Sequence, residues 1–259
     1  MQGERINIEI VQRTGILTID NPPANAMGPE LRNEFSIKLT QISKDAGVWT
    51  LIVMGAGEKF FMAGADIPGL LKLDRDSGLK RVQDIREFFH QLVCLEQPVI
   101  AAINGLCLGG GLEVALACDI RIAADHAKVG LPEVNLGLIP GGGGTQRLPR
   151  AIGPGWAKYL LCTGDAISAQ QALEIGLVQK VVPLASLKEA ALELAAKINS
   201  KGPLAVRAAK KVASEGLDLT LEEGLNIENE AFSKLCATQD KNEGVTAFLE
   251  KRKPKFQCK

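Results

Sequence analysis

The sequence predicts an α/β fold with much parallel sheet, followed by a region built almost wholly from helices. Three observations carry that expectation. Extended and helical segments alternate through the first half of the chain, the pattern of an α/β core. Three of the extended segments, Val48–Met54, Val99–Ile103 and Ile120–Ala124, are near-continuous apolar runs, as expected of strands covered on both faces. From Ser168 onward the strand signal nearly vanishes, with Val178–Val182 as the exception.

Each element has its own justification. Arg5 to Ile10 alternates with period two and reads as a first strand. Ile16–Asp20 reads as a second, joined to the first through a turn at Thr14-Gly15. Pro29 to Ala46 places Leu31, Phe35, Leu39 and Ile42 on one helical face. Val48–Met54 then runs into Gly55-Ala56-Gly57. One helix is expected from about Leu70 to Leu95, with Leu79, Val82, Ile85, Phe89 and Leu92 at helical spacing and Pro98 as its stop. A helix over Leu112–Ala117 separates the strands at Val99 and Ile120. Ser186–Asn199, Pro203–Ser214, Thr220–Leu235 and Asn242–Arg252 read as helices.

Composition narrows the function. Lys plus Arg and Asp plus Glu are 30 each, so no global field draws the chain to nucleic acid or an anionic membrane. Aromatic residues make up 4%, leaving few platforms on which bases could stack. The six cysteines show no C-x-x-C pairing, and four of them sit in apolar sequence surroundings; a reducing, cytoplasmic setting fits better than a disulfide framework. Two histidines, His90 and His126, have no metal-binding spacing, and no metal site is expected. Val99–Cys118 is long and apolar enough to raise the question of a membrane span, but Gly109-Gly110-Gly111 and Glu113 lie within it; strand, glycine turn and buried helix explain it better. There is no phosphate-cradling G-x-x-x-x-G-K-[ST], no dinucleotide G-x-G-x-x-G and no nucleophile elbow. Chemistry built from carboxylates and backbone dipoles remains.

Three segments carry such chemistry. Phe60-Phe61-Met62-Ala63-Gly64-Ala65-Asp66-Ile67 is a small-residue loop where a ligand could approach backbone N–H groups; a tight turn needing glycine explains it equally when read alone. In Asn104-Gly105 through Gly109-Gly110-Gly111-Leu112-Glu113, glycines open a helix and leave free N–H groups at its positive end, a seat for a developing oxyanion. Glu113 follows on a helix with no polar face, Val114-Ala115-Leu116-Ala117-Cys118, so its carboxylate is expected to be buried. The third segment, Leu131-Pro132-Glu133 through Gly141–Gly144 and Thr145-Gln146-Arg147-Leu148, holds a second isolated glutamate. Alone, Glu133 fits a loop salt bridge as well as a catalytic role.

Together, and in this order, the three segments resemble the enoyl-CoA hydratase/isomerase (crotonase) family. Thr163-Gly164-Asp165 with Ala172–Val178 and Phe248-Leu249-Glu250-Lys251-Arg252 extend the likeness from about Ile6 to Phe256. The resemblance implies a crotonase-like (ClpP/crotonase) fold of repeated ββα units forming a spiral core. It also implies a core of residues 1–195 holding the site and a helical trimerisation region of residues 196–259, in a homotrimer or homohexamer.

The resemblance implies a hydro-lyase that adds water to a trans-2-enoyl-CoA, a step of fatty-acid β-oxidation. Glu113 would be the base that orients water for attack at C3, and Glu133 the acid that delivers a proton to C2. The N–H groups of Ala65 and Gly110 would form the oxyanion hole. Contacts to the CoA thioester would come from Ala24, Ala26, Ala63, Ala65, Asp66, Ile67, Gly109, Pro132, Leu138, Phe248 and Lys251. No cofactor is implied, because coenzyme A arrives as part of the substrate. Two departures stand out: Asn21-Pro22-Pro23-Ala24-Asn25-Ala26-Met27 is two residues shorter than the family's usual loop, and Pro68 replaces a common lysine. Lys251 of a neighbouring subunit could supply the missing phosphate contact, or simply complement its own helix end. An isomerase, needing Glu133 alone, remains the alternative within the family, and branched or alicyclic acyl groups stay open. RNA binding, a second role in one branch of the family, would have only Lys210-Lys211 and the C-terminal basic run as its footprint.

Overall fold

The structure is a computed structural model that describes residues 4–63 and 67–259, with the backbone alone at 67 and 68. Among the described residues ten strands form two sheets. In the larger, β1 (Ile6–Val11) runs antiparallel to β2 (Thr14–Ile19). The smaller starts with β4 (Phe60–Ala63), and β3 (Thr50–Gly55) lies parallel to β2 in the larger. β5 (Val99–Ile103), β7 (Ile120–Ala124) and β10 (Lys180–Val182) extend the larger sheet in parallel, giving the order β1-β2-β3-β5-β7-β10. β6 (Leu106–Leu108) and β8 (Lys128–Gly130) lie parallel beside β4, and β9 (Ala166–Ser168) closes that sheet antiparallel.

Helices complete the repeat. After α1 (Pro29–Lys44) and the short α2 (Ile67–Leu70) come α3 (Arg75–Val93), α4 (Gly110–Ala117) and α5 (Gly144–Ile152). The chain therefore winds three times through strand, strand and helix: β3–β4–α3, β5–β6–α4, β7–β8–α5. Each winding adds one strand to each sheet, which is the spiral of ββα units that the sequence resemblance implies. Leu31, Phe35, Leu39 and Ile42 of α1 are all buried, as their spacing predicts. Full burial of such side chains contributes about 1.5–3 kcal/mol each. All five residues of β5 are buried, as expected of a central strand covered on both faces.

The remainder is helical: α6 (Pro154–Thr163), α7 (Ala169–Glu174), α8 (Leu187–Asn199), α9 (Pro203–Gly216), α10 (Leu221–Cys236) and α11 (Gln239–Leu249). α8 crosses the expected boundary at residue 195 and packs on β3, β5 and β7. α9 and α10 pack on each other, and α10 buries no residue within the chain.

Several expectations need correction. The first hairpin turns at Gln12-Arg13, with Gln12 at φ 55°, and Thr14-Gly15 lies inside β2. Gly15 serves packing there, because a Cβ would stand 3.2 Å from Ile42 Cδ1. The single helix from Leu70 to Leu95 is two, divided at Leu71–Leu73. Asp74 caps the second by accepting from the Ser77 N–H at 2.9 Å, and an aspartate three residues before a serine is a helix-start signal. The segments at Phe60–Ala63 and Leu106–Leu108, taken as loop and glycine turn, are strands. Strands of three or four residues are too short to show periodicity, and the glycines flanking them dominate the local pattern. Only Cys107 and Cys118 of the six free cysteines are buried, where four in apolar sequence surroundings were expected. Finally, the apolar run Val99–Cys118 is divided among β5, β6 and α4, and no described helix is long and apolar enough to cross a membrane.

Candidate active site

Two buried asparagines join the segments that the sequence marks as chemical. Asn104, at the end of β5, accepts from the Gly55 N–H at 2.9 Å and donates to the carbonyls of Gly57 at 2.9 Å and Phe60 at 3.2 Å. Asn25 donates to the Phe61 carbonyl at 3.1 Å and accepts from the Asn21 N–H at 2.8 Å. β4 is thereby tied to both the N-terminal loop and β5. The Ala63 N–H donates to the Ala24 carbonyl at 2.9 Å, which brings together two of the expected thioester contacts.

α4 starts against β4. A Cβ on Gly111 would lie 2.0 Å from the Met62 carbonyl oxygen, so only glycine permits that approach. Gly109 caps the helix at φ 57°, a backbone conformation that favours glycine, and its N–H donates to the Gly130 carbonyl at 2.9 Å. Among the described residues the next N–H, that of Gly110, meets no acceptor. It stands at the positive end of α4, where a developing negative charge is stabilised. Its expected partner Ala65 lies outside the described residues, as do Asp66 and the side chain of Ile67.

Glu113 sits in the first turn of α4 and is 5% exposed, in line with the apolar helix that carries it. Its Oε1 accepts two N–H groups, from Gly142 at 2.7 Å and Gly144 at 2.8 Å. The glycine run is thus the cradle of the carboxylate, and it has to be free of side chains. A Cβ on Gly142 would lie 2.2 Å from the Phe89 ring and 2.7 Å from Glu113 Oε2. Burial raises the Glu113 pKa, while the two N–H groups and the Arg147 guanidinium oppose that rise. Both protein donors lie on Oε1, and among the described residues Oε2 accepts none.

Glu133 follows Pro132 in a 3₁₀ turn over Pro132–Leu136. Its Oε1 lies against Gly109, 3.1 Å from where a Cβ would stand. Its Oε2 is buried without a hydrogen-bond partner among the described residues. Leaving a carboxylate oxygen buried and unpaired costs on the order of 1–3 kcal/mol, more if it is charged. Burial first, then the nearby Glu113 charge, push its pKa up to about 7, so the acid persists to neutral pH. The two carboxylates therefore share one field; burial raises both, and Glu113 has two N–H donors and a cation that favour its ionised form, an asymmetry suited to dividing acid and base work.

The structure gathers Ala24, Ala63, Gly109, Gly110, Glu113, Pro132 and Glu133 around the start of α4. Ala26 stays in the N-terminal loop, its carbonyl accepting from the Asn21 side chain at 3.0 Å. Leu138, 45% exposed, joins the cluster only through its N–H, 3.2 Å from the Glu133 carbonyl. Phe248 and Lys251 lie at the far end of α11, and Phe248 is 83% exposed. Among the described residues, no hydrogen bond or ion pair joins either of them to the two glutamates. Nor do three or more His, Cys, Asp or Glu side chains gather as a metal would require.

Two residues of the site escaped the sequence reading, and a third was placed only broadly. Phe89 closes the segment Leu70–Phe89, expected from the sequence to line part of the pocket, and its ring walls the Gly142 cradle. Asn25 was passed over within the shortened loop. Arg147 was quoted within a motif without a role, although its Nη1 donates to the Gly142 carbonyl at 2.6 Å. Its sequence signal was a cation three residues after a glycine run.

Comparison with known proteins bears on the family and the fold. The family model described as enoyl-CoA hydratase/isomerase matches residues 9–259. The crotonyl-CoA hydratase of Syntrophomonas wolfei is 46% identical over 264 residues, covering 99% of each chain. The short-chain-enoyl-CoA hydratase of Clostridium acetobutylicum is 42% identical, covering 98% of this chain and 97% of its own. The crystal structure of an enoyl-CoA hydratase from Bacillus anthracis superposes with a TM-score of 0.94 at 45% identity, over 98% of this chain and all of that one.

Proposed function

The chain belongs to the enoyl-CoA hydratase/isomerase family, and we propose that its carboxylate pair adds water reversibly, and syn, across a trans-2-enoyl-CoA to give a 3-hydroxyacyl-CoA. One observation carries the assignment of roles. Glu113 is buried with both N–H donors on Oε1, beside Glu133, whose pKa is raised to about 7. The free Oε2 of Glu113 can accept a water proton as the water oxygen bonds to C3. The C2–C3 π pair moves toward the thioester, and its oxygen gathers charge at the Gly110 N–H; Ala65 would supply the second donor. Glu133 then gives its proton to C2. Removing one donor from such a site costs on the order of 3 kcal/mol of transition-state stabilisation.

The pair holds one proton throughout. In hydration Glu133 starts with it and Glu113 ends with it; dehydration reverses the exchange. No cofactor is needed beyond the coenzyme A of the substrate. The names of the crotonyl- and short-chain-specific relatives support a short, straight acyl group as the first substrate to try. We place the reaction in fatty-acid β-oxidation, in the cytoplasm. Ala24, Ala26, Ala63, Asp66, Ile67, Pro132 and Leu138 would hold the thioester and pantetheine, with Phe248 and Lys251 supplied by a neighbouring subunit.

Turnover of crotonyl-CoA in ¹⁸O-labelled water tests the reading. The expected result is loss of enone absorbance with ¹⁸O at C3 of the product. Crotonyl-CoA left unhydrated, with a 3-enoyl-CoA given in parallel converted to its 2-enoyl isomer without label uptake, would show an isomerase instead.

A further inference from the structure

Arg147 stands behind the cradle of Glu113 and touches each part that keeps it in shape. Its Nη1 donates to the Gly142 carbonyl at 2.6 Å, while the N–H of the same Gly142 donates to Glu113 Oε1 at 2.7 Å. Its guanidinium lies 5.3 Å over the ring of Phe89, the residue that walls Gly142 on the other side. It also closes over Gly143, which sits at φ 103°: a Cβ there would be 2.2 Å from Arg147 Nη1. A glycine run of four residues has little conformational preference of its own, so something outside it must choose the orientation of each peptide. The side chain is half-buried and makes no ion pair with any described carboxylate, so an ordinary surface salt bridge does not explain it.

We propose that Arg147 is a positioning residue for the base: it fixes the Gly142–Gly143 peptide, and so orients the two peptides flanking it, whose Gly142 and Gly144 N–H groups occupy Glu113 Oε1 and leave Oε2 facing the reacting water. This rests on the reading of Glu113 as the base. The arginine need not touch substrate; it acts through the peptide it holds. Its positive charge also favours the ionised form of Glu113.

The test uses full-length Arg147→Met and Arg147→Gln, checked for native circular dichroism, with initial rates of crotonyl-CoA hydration followed against pH. Misplacing the base lowers kcat, by roughly 10- to 100-fold, with KM changed far less. The acidic limb of kcat/KM moves to higher pH in both variants, because loss of the cation raises the Glu113 pKa. Glutamine, which can still donate to the Gly142 carbonyl, retains more of kcat than methionine. If methionine prevents folding, the glutamine variant alone carries the test through its acidic limb. A folded variant with unchanged kcat and an unmoved acidic limb would overturn the proposal, as would loss of stability alone. A Glu113→Gln control separates the two claims: if it still hydrates, the base assignment fails; if it is inactive while the arginine variants are normal, only the role of Arg147 fails.

Discussion

At the scale of single residues, the two glutamates differ in what surrounds them. Glu113 has two N–H donors and a nearby cation to set against its burial, whereas Glu133 has a buried oxygen with no hydrogen-bond partner among the described residues. The pH dependence follows from this contrast. Because the Glu133 pKa is raised, the acid keeps its proton at lower pH and loses it as pH climbs through about 7. Hydration kcat/KM should then fall about tenfold per pH unit above that midpoint, and Glu133→Gln should abolish the step. The midpoint belongs to the coupled pair and is measured as such. A profile flat to about pH 9 would contradict this account of the acid. The burial of Glu113 was legible in the sequence because its helix has no polar face. The donors on its carboxylate were not, since they arrive from a loop 29 and 31 residues away.

At the scale of elements, the site depends on corners where the chain leaves one sheet for the other. Asn104 satisfies one N–H and two carbonyls that would otherwise be buried without partners. Replacing it with alanine should destabilise the protein by about 2–4 kcal/mol, read from urea unfolding. A change within about 0.5 kcal/mol would show that water takes over these bonds. The long elements were legible: α1, β5, β7 and α8 lie within two residues of where their apolar spacing places them. The short strands β4, β6, β8 and β9 were not, because each takes its identity from a neighbouring strand rather than from its own residues. α5 and α6 were missed as well: a glycine run leads into α5 and Pro149 lies within it, while Gly153 and Gly155 flank the proline that opens α6.

At the scale of the molecule, the order of motifs in the chain made the spiral legible, through resemblance to a family rather than through any single pattern. What the C-terminal helices pack against was not legible. The apolar faces at Leu221, Leu225, Phe232 and Leu235 fit a contact between subunits and equally a private core, and in the single chain Leu221, Leu225 and Phe232 are 81%, 49% and 70% exposed. So large an apolar surface is costly to leave in water. Sedimentation equilibrium should give three or six times the chain mass of 27.6 kDa, and paired Leu221→Asp and Phe232→Asp changes should reduce it. A mass of one chain would contradict the proposed assembly. Lys210, one of the residues of the only candidate RNA footprint, is already committed to Asp119 at 2.9 Å and to the Gln97 carbonyl at 2.9 Å.

The division of labour between the two carboxylates meets its most direct test in Glu113→Gln. The substitution keeps the shape of the side chain and an oxygen for the Gly142 and Gly144 N–H groups while removing the base. Crotonyl-CoA hydration, followed by loss of enone absorbance, should fall by roughly 10²- to 10⁴-fold with KM little changed. Hydration at the wild-type rate would contradict the account.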